Sequence, residues 1–237
     1  LRPELWPWQT PAEFFTDQLH TAYDWGFEDL QEMVVYQQPF EYRKYETGKL
    51  RADGNPGFDT PTGLIELKSS IYPVFGEKAL PYFEEPYFSP YSDKIDQEVK
   101  DEYPLVLTTG GRNIAMFHSE HRQVPSLRAI NPWPLVTIHP DTALKYGIEE
   151  GDWVALENPI GRCVQKAHLS PTVDQRVVHA QHAWWFPEQD GESPNLFGTY
   201  KANVNNLIPH EVVGVTGYGA PYKNVICKIS KVDDLDS

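Results

Sequence analysis

Short apolar runs separated by turn residues fill the second half of the chain. YPLVLTT (103–109), PLVTIHP (134–140), RVVHAQHAWW (176–185) and NVICKISK (224–231) each supply a strand. EEGDWVALENPIGRCVQKAHL (149–169) carries strand residues on both sides of Asn158-Pro159-Ile160-Gly161 and reads as a hairpin. HPDTALKYG (139–147) breaks the pattern: Pro140 suits a first helical position and Gly147 a helix end. One short helix among many short strands predicts a small β-barrel with Greek-key-like crossings. Val106, Val136, Ile138, Val154, Val164, Val178 and Ile226 are its expected inward side chains.

Before Tyr103 the pattern is mixed. TPAEFFTDQLH (10–20) predicts a helix with Thr10 as N-cap, Pro11 at the first position and Glu13 closing a capping box. FEDLQEMVVY (27–36) predicts a second short helix, GKLRADGNPGFDTPTG (48–63) is turn-rich, and LIELKSS (64–70) reads as a strand. Residues 71–102, rich in Pro, Tyr and acids, read as an extended connector. The expected division is a linking segment over 1–102, with helices, one hairpin and the connector, followed by the barrel over 103–237.

Composition narrows the function. The 237 residues hold 34 acids against 20 Lys and Arg, a net charge of -14. A chain so acidic does not wrap nucleic acid, which needs a basic face. No apolar run approaches the roughly 20 residues of a membrane helix. Pro and Gly are abundant, at 21 and 16, which favours turns over a helical bundle. Cys163 and Cys227, the only cysteines, sit in strand-like runs and read as buried free thiols.

Against that background TTGGRNIAMFHSEHRQ (108–123) stands out, with two Arg, two His and a single acid, Glu120. A strand runs straight into Gly110-Gly111, where consecutive N–H groups can form an anion-binding nest. Thr108 and Thr109 add hydroxyls, and Arg112 adds a planar fork suited to phosphate. His118, His121 and Arg122 follow a few residues on. A phosphate or pyrophosphate is the natural guest; a plain glycine turn with solvated Arg and His is the competing reading. No Walker sequence or G-x-G-x-x-G occurs, and GVTGYGAP (214–221) has the wrong glycine spacing. His179 and His182, three apart, would face opposite sides of a strand and make a poor metal pair. Asn205 and Asn206 could read the edge of a heterocycle or cap a turn, and Lys223 could be solvated or contact a phosphate.

LVLTTGGRNIAMFHSEHRQVPSLR (105–128), VTIHPDTALKYGIEEGDWVALENPIGRC (136–163), NVNNLIP (203–209) and APYKNVICKI (220–229) resemble, in order, the C-terminal domain of the molybdopterin oxidoreductases, the dimethyl-sulfoxide-reductase-like family. Upstream, GFDTPTGLIEL (57–67) resembles the hairpin preceding that domain, and LWPWQTPAEFF (5–15) the segment before it. The resemblance implies a mainly β fold with some α, a six-stranded double-psi β-barrel of the aspartate-decarboxylase-like kind. It implies a bis-molybdopterin guanine dinucleotide cofactor carrying molybdenum or tungsten. Thr109, Gly110, Gly111 and Arg112, with His118, Ser119, His121 and Arg122, would face its pterin and pyrophosphate. Asn205, Tyr222 and Lys223 would fall in two further contact stretches. Two departures weaken those last contacts: Ile208 stands where the family carries a hydroxyl residue, and Pro221 is two rather than three residues before Lys223.

Full members of the family are several times longer. The resemblance therefore predicts the C-terminal part of such an enzyme, with no metal ligand of its own, inactive alone and without the cofactor when isolated. Its partners would be the N-terminal domains of the same enzyme, with an iron–sulfur electron-transfer subunit as a further candidate. Cytoplasm and periplasm both stay open. A non-enzymatic double-psi-barrel adaptor is the alternative. A pyruvoyl decarboxylase on the same barrel is excluded, because its self-cleavage needs a Gly-Ser bond and the sequence has none.

Overall fold

The computed structural model describes residues 6–210 and 223–237, in two compact units, Leu1–Leu67 and Lys68–Ser237. In the first, helices α1 (Pro11–Tyr23) and α2 (Phe27–Met33) form where expected. Thr10 Oγ1 accepts from the Glu13 N–H at 3.2 Å, and Pro11 occupies the first turn. The capping box closes one residue early, because the Glu13 carboxylate accepts from the Gln9 N–H at 2.7 Å. Phe15 stacks on Phe27 at 5.8 Å and joins the two helices.

The expected strand at 64–70 and its hairpin do not form. Leu64, Ile65 and Leu67 are exposed, Leu67 to 85%. Strand-like composition makes a strand only when a neighbour completes the ladder, and none pairs with this segment among the described residues.

In the second unit the connector is less featureless than its sequence. It contains a 3₁₀ turn at Tyr72–Phe75 and helix α3 at Gln97–Glu102. Phe88 O accepts from the Ile226 N–H at 2.9 Å, and Glu102 pairs with Lys228 at 2.7 Å, so the connector is fastened to the last barrel strand. It clusters with the barrel, whose strands begin at Leu105.

Six strands follow, with short helices between them: β1 (Leu105–Thr109), α4 (Pro125–Ile130), β2 (Leu135–Ile138), α5 (Pro140–Lys145), β3 (Trp153–Glu157), β4 (Arg162–Leu169), β5 (Val177–Ala180), α6 (Thr199–Ala202) and β6 (Val225–Val232). They close in the order β1-β5-β2-β4-β3-β6, the double-psi barrel. β1 runs parallel to β5 and β2 parallel to β4; the other four pairings are antiparallel. Parallel neighbours need long crossovers, and these crossovers carry the loops at the barrel end.

Alternate residues fill the barrel. Leu105, Leu107, Val136, Ile138, Val154, Leu156, Cys163, Val178, Val225 and Cys227 share one core. Fully burying each large apolar side chain contributes roughly 1.5–3 kcal/mol. Val106 and Ile226 pair across β1 and β6 out of phase with this core cluster, Ile226 fully buried and Val106 partly so. Val164 likewise lies in a different phase from Cys163, where α6 and the 3₁₀ turn Val204–Leu207 cover β4. Continuously apolar strands gave no alternation from which to read that phase. Two further short helices, α4 and α6, accompany the expected α5.

A smaller core forms beside the barrel. Ala115 and Met116 pack with Trp184, Phe186 and Ala202. This cluster pins the loop after β1 to the loop after β5, which sets the geometry of the site.

Candidate functional site

A cavity of about 590 Å³ opens at this end of the barrel. The end of β1 contributes Thr109, the loop after it Gly110, Arg112 and His118, and the loop after β5 His182. Asn205, Ile208, Pro209, His210 and Lys223 complete the described lining, which contains no carboxylate. In a chain of net charge -14, such a wall is a local reversal of sign.

Thr109 is buried and its hydroxyl donates to Ala180 O at 2.7 Å, locking β1 to β5. Lys223 Nζ donates to Thr109 O at 2.5 Å, which draws its ammonium over the strand end. Gly110 turns the chain at φ 83°, in the left-handed region that favours glycine. The Gly111 N–H donates to His179 Nε2 at 3.2 Å, so one expected nest donor already has a protein partner. A Cβ at Gly111 would lie 2.6 Å from that nitrogen, so only glycine permits the contact.

Next comes a chain of three side chains. Arg112 Nη1 is 2.9 Å from His118 Nε2, and His118 Nδ1 is 3.1 Å from His182 Nε2. Guanidinium only donates. His118 Nε2 therefore accepts, its proton resides on Nδ1, and that N–H donates to His182 Nε2. His182 keeps its own proton on Nδ1. Burial holds the His182 pKa below its usual value, reinforced by His118, Arg122, Arg112 and His179. Burial and then Lys223 do the same to His179. Both rings are neutral acceptors at pH 7.

The other sequence-predicted residues lie behind this wall. Ser119 O accepts from Trp185 Nε1 at 2.6 Å, and His121 Nδ1 accepts from the Phe117 N–H at 3.3 Å. Gly111, Ser119, His121 and Arg122 do not line the cavity. Arg122 is only 3% exposed and its guanidinium is turned toward backbone carbonyls. Asn206 is a brace, donating to Tyr200 O at 2.7 Å, while Asn205 faces the cavity. Tyr222 and the glycines of 214–221 fall outside the described residues.

His182 and His210 were missed as lining residues. β5 ends at Ala180, so strand alternation no longer applies at His182. The only signal was that apolar alternation stops there. His210 follows a turn with no pattern of its own.

A closed double-psi barrel with a cationic cavity at one end, its described lining free of carboxylate, is the architecture of a cofactor-binding domain. Residues 105–226 match the sequence family described as the molydopterin dinucleotide binding domain, and the chain belongs to that family. Relatives include a dopamine dehydroxylase of Eggerthella lenta, 38% identical over 190 residues, covering 71% of this chain and 18% of that protein. An acetylene hydratase of Syntrophotalea acetylenica is 31% identical over 189 residues, covering 79% of this chain and 24% of its own length. The solved acetylene hydratase from Pelobacter acetylenicus superposes with TM-score 0.76 and 26% identity over 97% of this chain and 30% of that one. The chain thus spans about a fifth to a third of the proteins it resembles.

Proposed function

We propose that the cavity holds the anionic, dinucleotide part of a bis-molybdopterin guanine dinucleotide within a larger molybdenum- or tungsten-dependent oxidoreductase. The observation that carries this reading is the lining itself: Arg112, Lys223 and the imidazoles of His118 and His182 with no acid among them. Pyrophosphate accepts only, and Arg112 and Lys223 supply charged donors for it, while the neutral His118 and His182 rings add no negative charge to the wall. Arg112 offers the planar fork, Lys223 a point charge, and Asn205 a donor and acceptor for a heterocycle edge. Thr109 and Gly110 place backbone at the turn, in line with the family's expected contacts. Ser119, His121 and Arg122 support the loop from behind, and Tyr222 remains a proposed contact from its sequence position.

The bound group would supply the metal and its electron transfer. This chain's residues would bind, orient and shield it. The cofactor is larger than a single wall can enclose, so the reading assigns the remaining contacts to preceding domains of the same enzyme. An iron–sulfur subunit is the proposed electron partner. The adaptor alternative fits less well, since a protein-binding face has no use for a recessed cavity of donors. The relatives' names span a dehydroxylase and a hydratase, and no single substrate carries over.

Calorimetry of the chain with pyrophosphate and GDP tests the proposal. Saturable binding that weakens as salt is raised supports it. Titrations that show no heat with either compound at millimolar concentration sink it.

A further inference from the structure

Arg122 presents an unusual combination. It is almost fully buried, yet none of its contacts is to a carboxylate. Nη1 donates to His118 O and, at 2.9 Å, to Glu120 O; Nη2 donates to His182 O at 3.3 Å. Its Cζ lies over the Trp184 ring, 5.0 Å from the centroid, and its Nε has no partner among the described residues. Glu120 gives it only a backbone carbonyl, its carboxylate lying 3.7 Å from His121 Nε2, and Glu188 pairs with Arg128 at 3.0 Å. Burial leaves the Arg122 pKa lowered to about 10, so the group is still charged at neutral pH.

Its carbonyl partners are revealing. His118 and His182 are the two residues whose rings meet at 3.1 Å in the cavity. One guanidinium therefore grips the backbone under both rings, across a sequence separation of 64 residues. The grip falls where backbone is least willing to stay. His118 has φ 46° and Ala183, next to His182, has φ 56°. Such non-glycine conformations persist only when surrounding contacts impose them. A lysine could not do the same work, because an ammonium on a flexible stem lacks the fixed fork that reaches the carbonyls of two loops.

We propose that Arg122 is a positioning residue: it sets the spacing at which the His118 and His182 rings share a hydrogen bond, and it does not itself touch the anion. Only the consequence for anion binding rests on the function proposed above.

Nitrogen-15 spectra of histidine-labelled chain at pH 8, without ligand, test the positioning directly. The unsubstituted chain should show His118 protonated at Nδ1 and His182 unprotonated at Nε2. In Arg122→Lys and Arg122→Met, with the barrel amide spectrum preserved, both rings should relax toward the Nε2–H form that free histidine prefers. Pyrophosphate should bind these variants at least about tenfold more weakly. A folded variant that keeps both tautomers overturns the proposal, whichever of the two it is. If neither variant folds, the unsubstituted chain decides: a clamp requires slowly exchanging Arg122 Nη protons, and rapid exchange beside intact ring tautomers overturns it. Failure of the unsubstituted chain to bind pyrophosphate would count against the anion site alone, because the ring spectra need no ligand.

Discussion

His118 Nδ1 lies 3.1 Å from His182 Nε2, and with Arg112 on the far side of His118 only one arrangement of protons satisfies both contacts. A proton added to His182 at Nε2 would set two donors against each other. It would also add charge beside Arg112 and Arg122, which already push the His182 pKa down after burial has done so. The site is built to keep this imidazole neutral.

The sign of the pH dependence follows. His179 and His182 both have folded pKa values below the unfolded value. The unfolded chain therefore binds more protons as pH falls below about 6.5. Stability from these two groups is full above that pH and is lost as pH drops through the window beneath it. Urea midpoints measured between pH 7.5 and 5 should fall on the acid side, and His182→Gln should flatten the slope. A slope unchanged in the variant would contradict the arrangement.

Arg112 faces the cavity and ends the chain of side chains, so its loss should act on ligand rather than fold. Arg112→Ala should weaken pyrophosphate binding by roughly 1.5–3 kcal/mol, the range for a hydrogen bond to a charged group. Its thermal midpoint should stay close to that of the parent chain. Arg112→Lys should recover only part of the affinity, because charge is kept and the fork is lost. Equal affinities for all three chains would remove Arg112 from the site.

Cys163 and Cys227 are buried inside the barrel, and burial pushes both thiols well above their usual range. A thiolate is the reactive form. Both should resist a thiol-reactive dye at pH 8 in native buffer and react together once the barrel unfolds in urea. Prompt labelling of the native chain would place at least one of them elsewhere.

What could be read from the sequence depended on how local each cause was. The strands from Leu105 to Val232 announced themselves as short apolar runs between turns, and Asn158-Pro159-Ile160-Gly161 announced the hairpin. LIELKSS had the same local look, but a strand also needs a ladder partner, and that is a property of the whole fold. Phase was lost for a related reason: Leu105, Val106 and Leu107 are all apolar, so nothing in the run says which faces in. Arg112 and His118 were visible because a strand fed directly into their loop. Arg122 was visible as a charge but not as a buried one. Its surroundings, Trp184 and the carbonyl of His182, come from some 60 residues downstream. His182 was hidden by the assumption that β5 continues past Ala180.

Gly161 offers a test of how the barrel positions Asn205 from a distance. The hairpin turn is tied to the 3₁₀ turn Val204–Leu207: Asn158 Oδ1 accepts from the Ile160 and Gly161 N–H groups, and Asn158 Nδ2 donates to Leu207 O at 2.8 Å. A Cβ at Gly161 would lie 2.4 Å from Asn206 O, which is backbone and not a side chain that can swing aside. Gly161→Ala must therefore push the 3₁₀ turn away from β4 and carry Asn205 with it. Overpacking of this kind costs roughly 1–3 kcal/mol, so the thermal midpoint should fall. The specific expectation is that GDP binding weakens more than pyrophosphate binding. Asn205 is the proposed contact for the heterocycle, whereas Arg112 and Lys223 sit on other loops. Gly147→Ala supplies the converse: Gly147, unlike Gly161, has a positive φ, and nothing lies within 4 Å of an added Cβ. That variant should lose stability through backbone strain alone and bind both compounds like the parent. If Gly161→Ala weakens the two ligands equally, Asn205 does not read the base, and the cavity recognises phosphate only.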